Sequence, residues 1–170
     1  MSINQNTWVA LFNPKSPSNV GGVLRAAGCY GVSEVRYSGE RFDRAQKYQT
    51  DTKNVHSKIP LKRVDDIIAD RPCNTQLVCI ELVEGATPLP TFRHPKNAYY
   101  IFGPEDGSLP QSLIDRADSI VYIPTFACMN LAATVNVVLY DRLAKSGSDI
   151  DHQERILRSR DRNNRLRVNK

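Results

Sequence analysis

The run Ala98-Tyr-Tyr-Ile-Phe102 ends abruptly in Gly103-Pro-Glu-Asp-Gly-Ser-Leu-Pro110. Apolar and aromatic residues give way at once to glycine, proline and acid. A segment with helical character, Gln111 to Ala117, follows. The pattern predicts a buried strand, a tight turn and a helix start. In α/β proteins, ligands bind outside the carboxyl ends of strands. Gly103 and Gly107 let the backbone approach a ligand closely. Pro104 and Pro110 stiffen the turn, and Pro110 suits a first helical turn. An ordinary surface turn would need the same residues, so the rest of the chain has to decide.

The 170 residues, 41% of them apolar, fit one domain with a real core. Mean hydropathy is −0.42 and no long apolar run occurs, which argues against a membrane span. Residues 1–7 have neither the basic start nor the apolar stretch of a signal peptide, so a cytoplasmic location is expected. Cys29, Cys73, Cys79 and Cys128 form no C-x-x-C pair and have no nearby histidines. Neither zinc nor a disulfide frame is expected, and the first three read as buried, reduced thiols. His56, His94 and His152 show no partner pattern.

The net charge of +5 has a definite place. From His152 to Lys170 the chain carries seven basic residues and two acids, so this segment holds the whole excess. Six of the seven are arginine. That favours planar contacts to phosphates, against the alternative of a solvated terminus. We therefore divide the chain into a domain over 1–150 and a basic tail over 151–170.

Taken in order, Thr7–Phe12 reads as a buried strand, and Lys15–Asn19 as a loop with capping residues. A helix is predicted from Val20, with Val20, Val23, Leu24 and Ala27 as its apolar stripe. At about 100° per residue, Arg25 falls away from that stripe, beside Gly21, Gly22 and Gly28. Each glycine costs a helix roughly 1 kcal/mol relative to alanine. Three of them around one arginine suggest a very close neighbour; the alternative is a close helix–strand contact with Arg25 simply solvated. Ser33–Ser38 reads as a strand. Residues 39–58 are polar, with room for a short helix and a strand near Val55. Leu61–Asp70 reads as a short amphipathic helix, Gln76–Leu82 as a strand and Gly85–His94 as loop. Ser119–Ile123 is a strand stopped by Pro124. The longest helix is expected from Leu131 to about Ser146, with Asn130 as N-cap and Gly147 as its stop. Strands alternating with helices predict a mostly parallel α/β sheet flanked by helices.

Three strand-to-helix junctions stand out: Ser16–Arg25, Phe102–Pro110 and Ile123–Leu131. None carries a G-x-G-x-x-G fingerprint or a P-loop lysine. The first reads Asn19-Val-Gly-Gly-Val-Leu-Arg25. The second reads Phe102-Gly-Pro-Glu-Asp-Gly-Ser-Leu-Pro110, continuing to Ile123-Pro124. The third reads Cys128-Met-Asn-Leu-Ala132, with Val138-Leu-Tyr-Asp141 further on. Together, from Trp8 to about Leu143, they resemble the SpoU/TrmH branch of the SPOUT RNA 2′-O-ribose methyltransferases. The resemblance is greatest to the small single-domain TrmL-type members. Gly107 stands one place early in the second motif, and Cys128 takes the place of the family serine.

The resemblance implies an α/β fold with a deep C-terminal trefoil knot, an exception to the rule against knots. It implies S-adenosylmethionine as cofactor, no metal, RNA as partner and substrate, and a homodimer. A chain this short leans toward tRNA, and ribosomal RNA remains an alternative. Leu82, Gly103, Gly107, Leu109, Ile123, Cys128, Met129 and Leu131 would form the cofactor site, largely through backbone groups. Arg25, Asn19, Glu105 and Asn130 would be the catalytic set. A guanidinium is too weak an acid to serve readily as a base, so Arg25 is read as holding RNA phosphate and a developing alkoxide. Glu105 would orient Asn19, Arg25 or the substrate; its plainer reading is a carboxylate at the N-terminus of the following helix. Two other classes stay open: a non-catalytic RNA-binding module of the same fold, and a small-molecule α/β enzyme.

Overall fold

The computed structural model describes residues 7–47, 59–147 and 151–168. In chain order they form β1 (Thr7–Leu11), α1 (Pro17–Tyr30), β2 (Glu34–Tyr37), α2 (Arg41–Gln46), β3 (Leu61–Arg63), β4 (Gln76–Ile80) and β5 (Thr87–Pro88). A 3₁₀ turn at Leu89–Thr91 leads to β6 (Ala98–Phe102), α3 (Gln111–Ile114), β7 (Ser119–Tyr122), α4 (Leu131–Lys145) and α5 (His152–Ser159).

The run Ala98–Phe102 is a central strand, and every residue in it is buried. Its neighbours on either side are β1 and β4, in a seven-stranded sheet of order β3-β2-β1-β6-β4-β7-β5. All the pairings are parallel. A strand buried on both faces reads as a continuous apolar run, which explains its composition. Ala98, Tyr100 and Phe102 face one core, with Val9, Leu11 and Val78 and with Val23 and Val135 of the helices. Tyr99 and Ile101 face the other, with Leu77, Cys79, Leu109 and Leu113. The expected α/β sheet with helices on both faces is present.

The carboxyl half is interleaved. β6 returns to lie between β1 and β4, and β7 returns to lie between β4 and β5. The carboxyl ends of β6, β4 and β7 therefore sit side by side on one sheet edge. The trefoil knot is the threading that the SPOUT fold implies for this half.

Several expectations are corrected. The first helix begins at Pro17, not Val20, because Ser16 is its N-cap and accepts from the Asn19 N–H at 3.3 Å. Pro17 with its fixed φ suits the first turn. Residues 61–70 are not a helix. Leu61, Val64 and Ile67 do have helical spacing, but Leu61–Arg63 pairs with the edge of β2 instead. Val64 and Ile67 are then buried by a turn in which Asp66 accepts from the Ile68 and Ala69 N–H groups. The loop expected at 85–94 contains β5 and the 3₁₀ turn. The short helix expected within 39–58 is α2, whereas the strand near Val55 and His56 lie outside the described residues. Of the thiols expected to be buried, only Cys79 is, and burial pushes it up to about 12. Cys29 and Cys73 are exposed. Helix α5, capped by Asp151, was not expected in the tail.

The glycines of α1 divide. A Cβ on Gly22 would lie 2.8 Å from Ala132 Cβ of α4, so this is where another element packs very close. Gly21 has nothing within 4 Å, and Gly28 only Ile59 at 3.9 Å. The closeness expected around Arg25 is thus real at one glycine, among the described residues, and faces α4.

Candidate active site

Glu105 follows β6 in the turn predicted from the sequence. Its carboxylate accepts from the backbone N–H of Lys15 at 2.8 Å and of Ser16 at 3.0 Å. It therefore sits at the N-terminus of α1, where helix N–H groups lack partners and the dipole favours negative charge. The alternative role at the following helix is not what is seen. The Asn19 side-chain amide donates to the same carboxylate at 3.1 Å. Burial alone would raise the Glu105 pKa. Hydrogen bonds from Asn19 and from the Ser16, Glu105 and Lys15 backbone outweigh it and hold the carboxyl below its ordinary value.

The relay continues. Asn130 donates from Nδ2 to Asn19 Oδ1 at 2.8 Å. Its own Oδ1 accepts from the N–H groups of Ala132 at 2.9 Å and Ala133 at 3.4 Å, capping α4. So Asn130 is both a cap and a bridge. Glu105, Asn19 and Asn130 come from three separate motifs and form one hydrogen-bonded chain.

Arg25 does not join it. It lies about 120° around α1 from Asn19. It is exposed and makes no hydrogen bond or ion pair among the described residues. Gly21, Gly28 and Ser18 share its face, so its neighbours on α1 are small and exposed.

The residues expected around the cofactor fall on the loops after β4, β6 and β7. Leu82 is 77% exposed, Ile123 and Met129 are half-buried, and Gly107 and Cys128 are exposed. Leu109 and Leu131 are buried, with side chains in opposite cores, so only their backbone faces the loop edge. Glu81 is a residue that sequence reasoning missed. Its Oε2 accepts from the Leu109 N–H at 2.8 Å and lies 3.3 Å from where a Gly103 Cβ would be. It ties the loop after β4 to the loop after β6 and leaves little room for a side chain at 103. An acid directly after an apolar strand was the available signal. A second missed feature is Asp106, which pairs with Arg41 at 2.8 Å and Lys15 at 3.4 Å.

Apolar side chains at a glycine-lined strand edge, with backbone groups turned to it, have the chemistry an adenosine needs. The residues present fit S-adenosylmethionine. No metal-holding group of His, Cys, Asp and Glu exists among the described residues.

Comparison with known proteins bears on the family. The model of the SpoU rRNA methylase family matches residues 6–140. The chain belongs to the SpoU methylase family. Among curated relatives of this SpoU member is the tRNA (cytidine-2′-O-)-methyltransferase TrmJ of Methanocaldococcus jannaschii. It is 29% identical over 164 residues, which cover 81% of this chain and 67% of TrmJ. Several solved structures share the fold. One, from work on the 2-OH methylation of C/U34 on tRNA, has a TM-score of 0.65 at 22% identity, covering 84% of this chain and 91% of the other. The TrmH/SpoU tRNA modifying enzyme of A. aeolicus has a TM-score of 0.66 at 15% identity, covering 92% and 88%. The AdoMet-bound rRNA methyltransferase of Sinorhizobium meliloti has a TM-score of 0.67 at 24% identity, covering 86% and 59%.

Proposed function

We propose that this SpoU methylase is an S-adenosylmethionine-dependent RNA methyltransferase acting on a ribose 2′-hydroxyl of tRNA. The observation that carries the reading is the Glu105–Asn19–Asn130 chain, which joins all three motif loops beside the proposed cofactor edge. The cofactor supplies a methyl group already activated on a sulfonium. What remains for the protein is alignment and proton management.

Glu105 holds the amino end of α1 and fixes the Asn19 amide. Asn19, with its carbonyl oxygen engaged by Asn130, has one defined orientation toward the substrate ribose. Backbone groups of Gly103, Gly107, Leu109, Ile123 and the Cys128–Leu131 turn hold the cofactor, with Leu82 against its adenine. Arg25 holds an RNA phosphate and stabilises the alkoxide as the 2′-hydroxyl loses its proton; a phosphate oxygen can carry that proton away. A free, exposed guanidinium suits this role better than one already paired.

The active unit is a homodimer in this reading. Val137 and Tyr140 of α4 are exposed, as is the small-residue face around Arg25. A partner covering both would bring Arg25 toward the other subunit's cofactor edge. We assign the enzyme to the cytoplasm; among the described residues no helix is long and apolar enough to cross a membrane. The family's rRNA methylase description favours ribosomal RNA as a second reading.

The test presents labelled S-adenosylmethionine with total tRNA and, separately, with ribosomal RNA. Label in tRNA, recovered as a 2′-O-methylated nucleoside, supports the first reading. Label only in ribosomal RNA supports the second. Label in neither, without cofactor binding, would leave a non-catalytic module.

A further inference from the structure

We infer that the arginines of 152–168 form a phosphate-binding arm that grips the substrate RNA from outside the methylase core. The inference rests on the RNA-methyltransferase reading. The family match ends at residue 140, so this segment is not part of the shared domain. Its six arginines and two acids nevertheless give it +4 of the chain's net charge of +5.

Pairing of charges is commoner in the core than in the arm. Arg41 and Lys15 bind Asp106, Arg63 binds Asp43, Arg71 binds Asp118 and Lys145 binds Asp141, whereas Arg25, Lys62, Arg93 and Lys96 make no ion pair among the described residues. In the arm only Arg158 is matched, by Glu154 one turn earlier on α5. Arg155, Arg160, Arg162, Arg165 and Arg167 are exposed and make no side-chain hydrogen bond or ion pair among the described residues. Unmatched guanidinium groups at this density repel one another. That cost is offset when a polyanion binds, because each phosphate contact releases counterions. Arginine rather than lysine throughout fits bidentate phosphate recognition. Arg155 and Arg158 lie on one flank of α5, with Ile156 and Leu157 on the opposite flank, so the helix offers the RNA a cationic side.

The experiment measures equilibrium binding of total tRNA to the full-length protein over a range of salt concentrations. It compares the wild type with two variants, in which Arg155, Arg160, Arg162, Arg165 and Arg167 are all replaced by Gln or all by Lys. The glutamine variant should bind at least about tenfold more weakly at moderate salt. Its slope of log K against log salt should be shallower by about 4, at 0.7–0.9 per contact. The lysine variant should keep the slope. Melting temperature and S-adenosylmethionine affinity should be unchanged in both. Equal RNA binding by wild type and glutamine variant would overturn the arm. So would a fall in melting temperature, which would make the arginines structural, or an effect confined to binding of anionic phosphatidylserine vesicles. A wild type that binds RNA through the arm yet transfers no methyl would reject the enzymatic reading and leave the arm standing. A wild type that binds no RNA would overturn both.

Discussion

Glu105 illustrates how a candidate site residue can be picked out before its partners are. Its place after a buried strand, between Gly103 and Gly107, was visible in the sequence. Its attachment to Lys15 and Ser16 was not, because those contacts join segments about ninety residues apart. The same holds for Asn19 and Asn130, each legible as a motif member but paired only by the fold. Glu81 was missed for a related reason: its role depends on the neighbouring β6 loop. Substituting Glu105 with Gln puts an amide where two backbone N–H groups and Asn19 donate. We expect a loss of about 1–3 kcal/mol at neutral pH, the scale for hydrogen bonds to a charged group, read by denaturant unfolding. The folded-state pKa of Glu105 lies below its unfolded value. Its contribution is therefore complete above the unfolded value and lost as pH falls through the folded one. The gap between wild type and variant should shrink in acid below the ordinary carboxylate range. Arg25→Ala should leave folding and S-adenosylmethionine affinity intact, because Arg25 is exposed and makes no hydrogen bond or ion pair among the described residues. Loss of cofactor binding in that variant would contradict the role assigned to it.

Among the elements, α1 and α4 form the packed pair that carries the candidate site, and Gly22 lets them approach. Gly22→Ala should destabilise by up to about 2 kcal/mol: an overpacking cost of about 1–3 kcal/mol is set against the roughly 1 kcal/mol gained in helix propensity. Gly21→Ala meets no neighbour within 4 Å among the described residues and should not show that loss in the monomer. Equilibrium unfolding of the two variants makes the comparison. α4 is also held at its other end. His94 is buried between the Tyr100 hydroxyl at 2.6 Å and Asp141 at 2.8 Å, while Lys145 donates to the Leu89 carbonyl. Burial lowers the His94 pKa, although Asp141 opposes it. With the folded pKa below the unfolded one, His94 contributes stability above about pH 6.5 that is lost as pH falls. Thermal unfolding should thus show a decline between pH 7 and 5.5 that His94→Gln reduces. Helix α4 was legible from its stripe, cap and stop. Residues 61–70 were not, because apolar spacing shared by a helix and by a strand with a turn is decided by the free edge of β2. The start of α1 was misplaced because Asn19, inside the first turn, resembles a cap as closely as Ser16 does.

At the scale of the molecule, the parallel α/β class followed from alternating buried strands and helices. The strand order did not. Interleaving of β6 and β7 among earlier strands is set by long-range pairing, and local propensity carries no trace of it. The charge distribution was fully legible, and only the fold showed which cations are already matched. If the exposed faces of α1 and α4 meet a second copy, Tyr140→Glu should shift the protein from dimer to monomer in analytical ultracentrifugation. Methyl transfer should fall with it if, as proposed, Arg25 acts across that interface. The most direct measurement is nucleoside analysis of tRNA after incubation with S-adenosylmethionine and either wild-type protein or Arg25→Ala. The account predicts a 2′-O-methylated nucleoside from the wild type and none from the variant, with equal cofactor binding by both. A methylated base in place of ribose, or undiminished ribose methylation by Arg25→Ala, would contradict it.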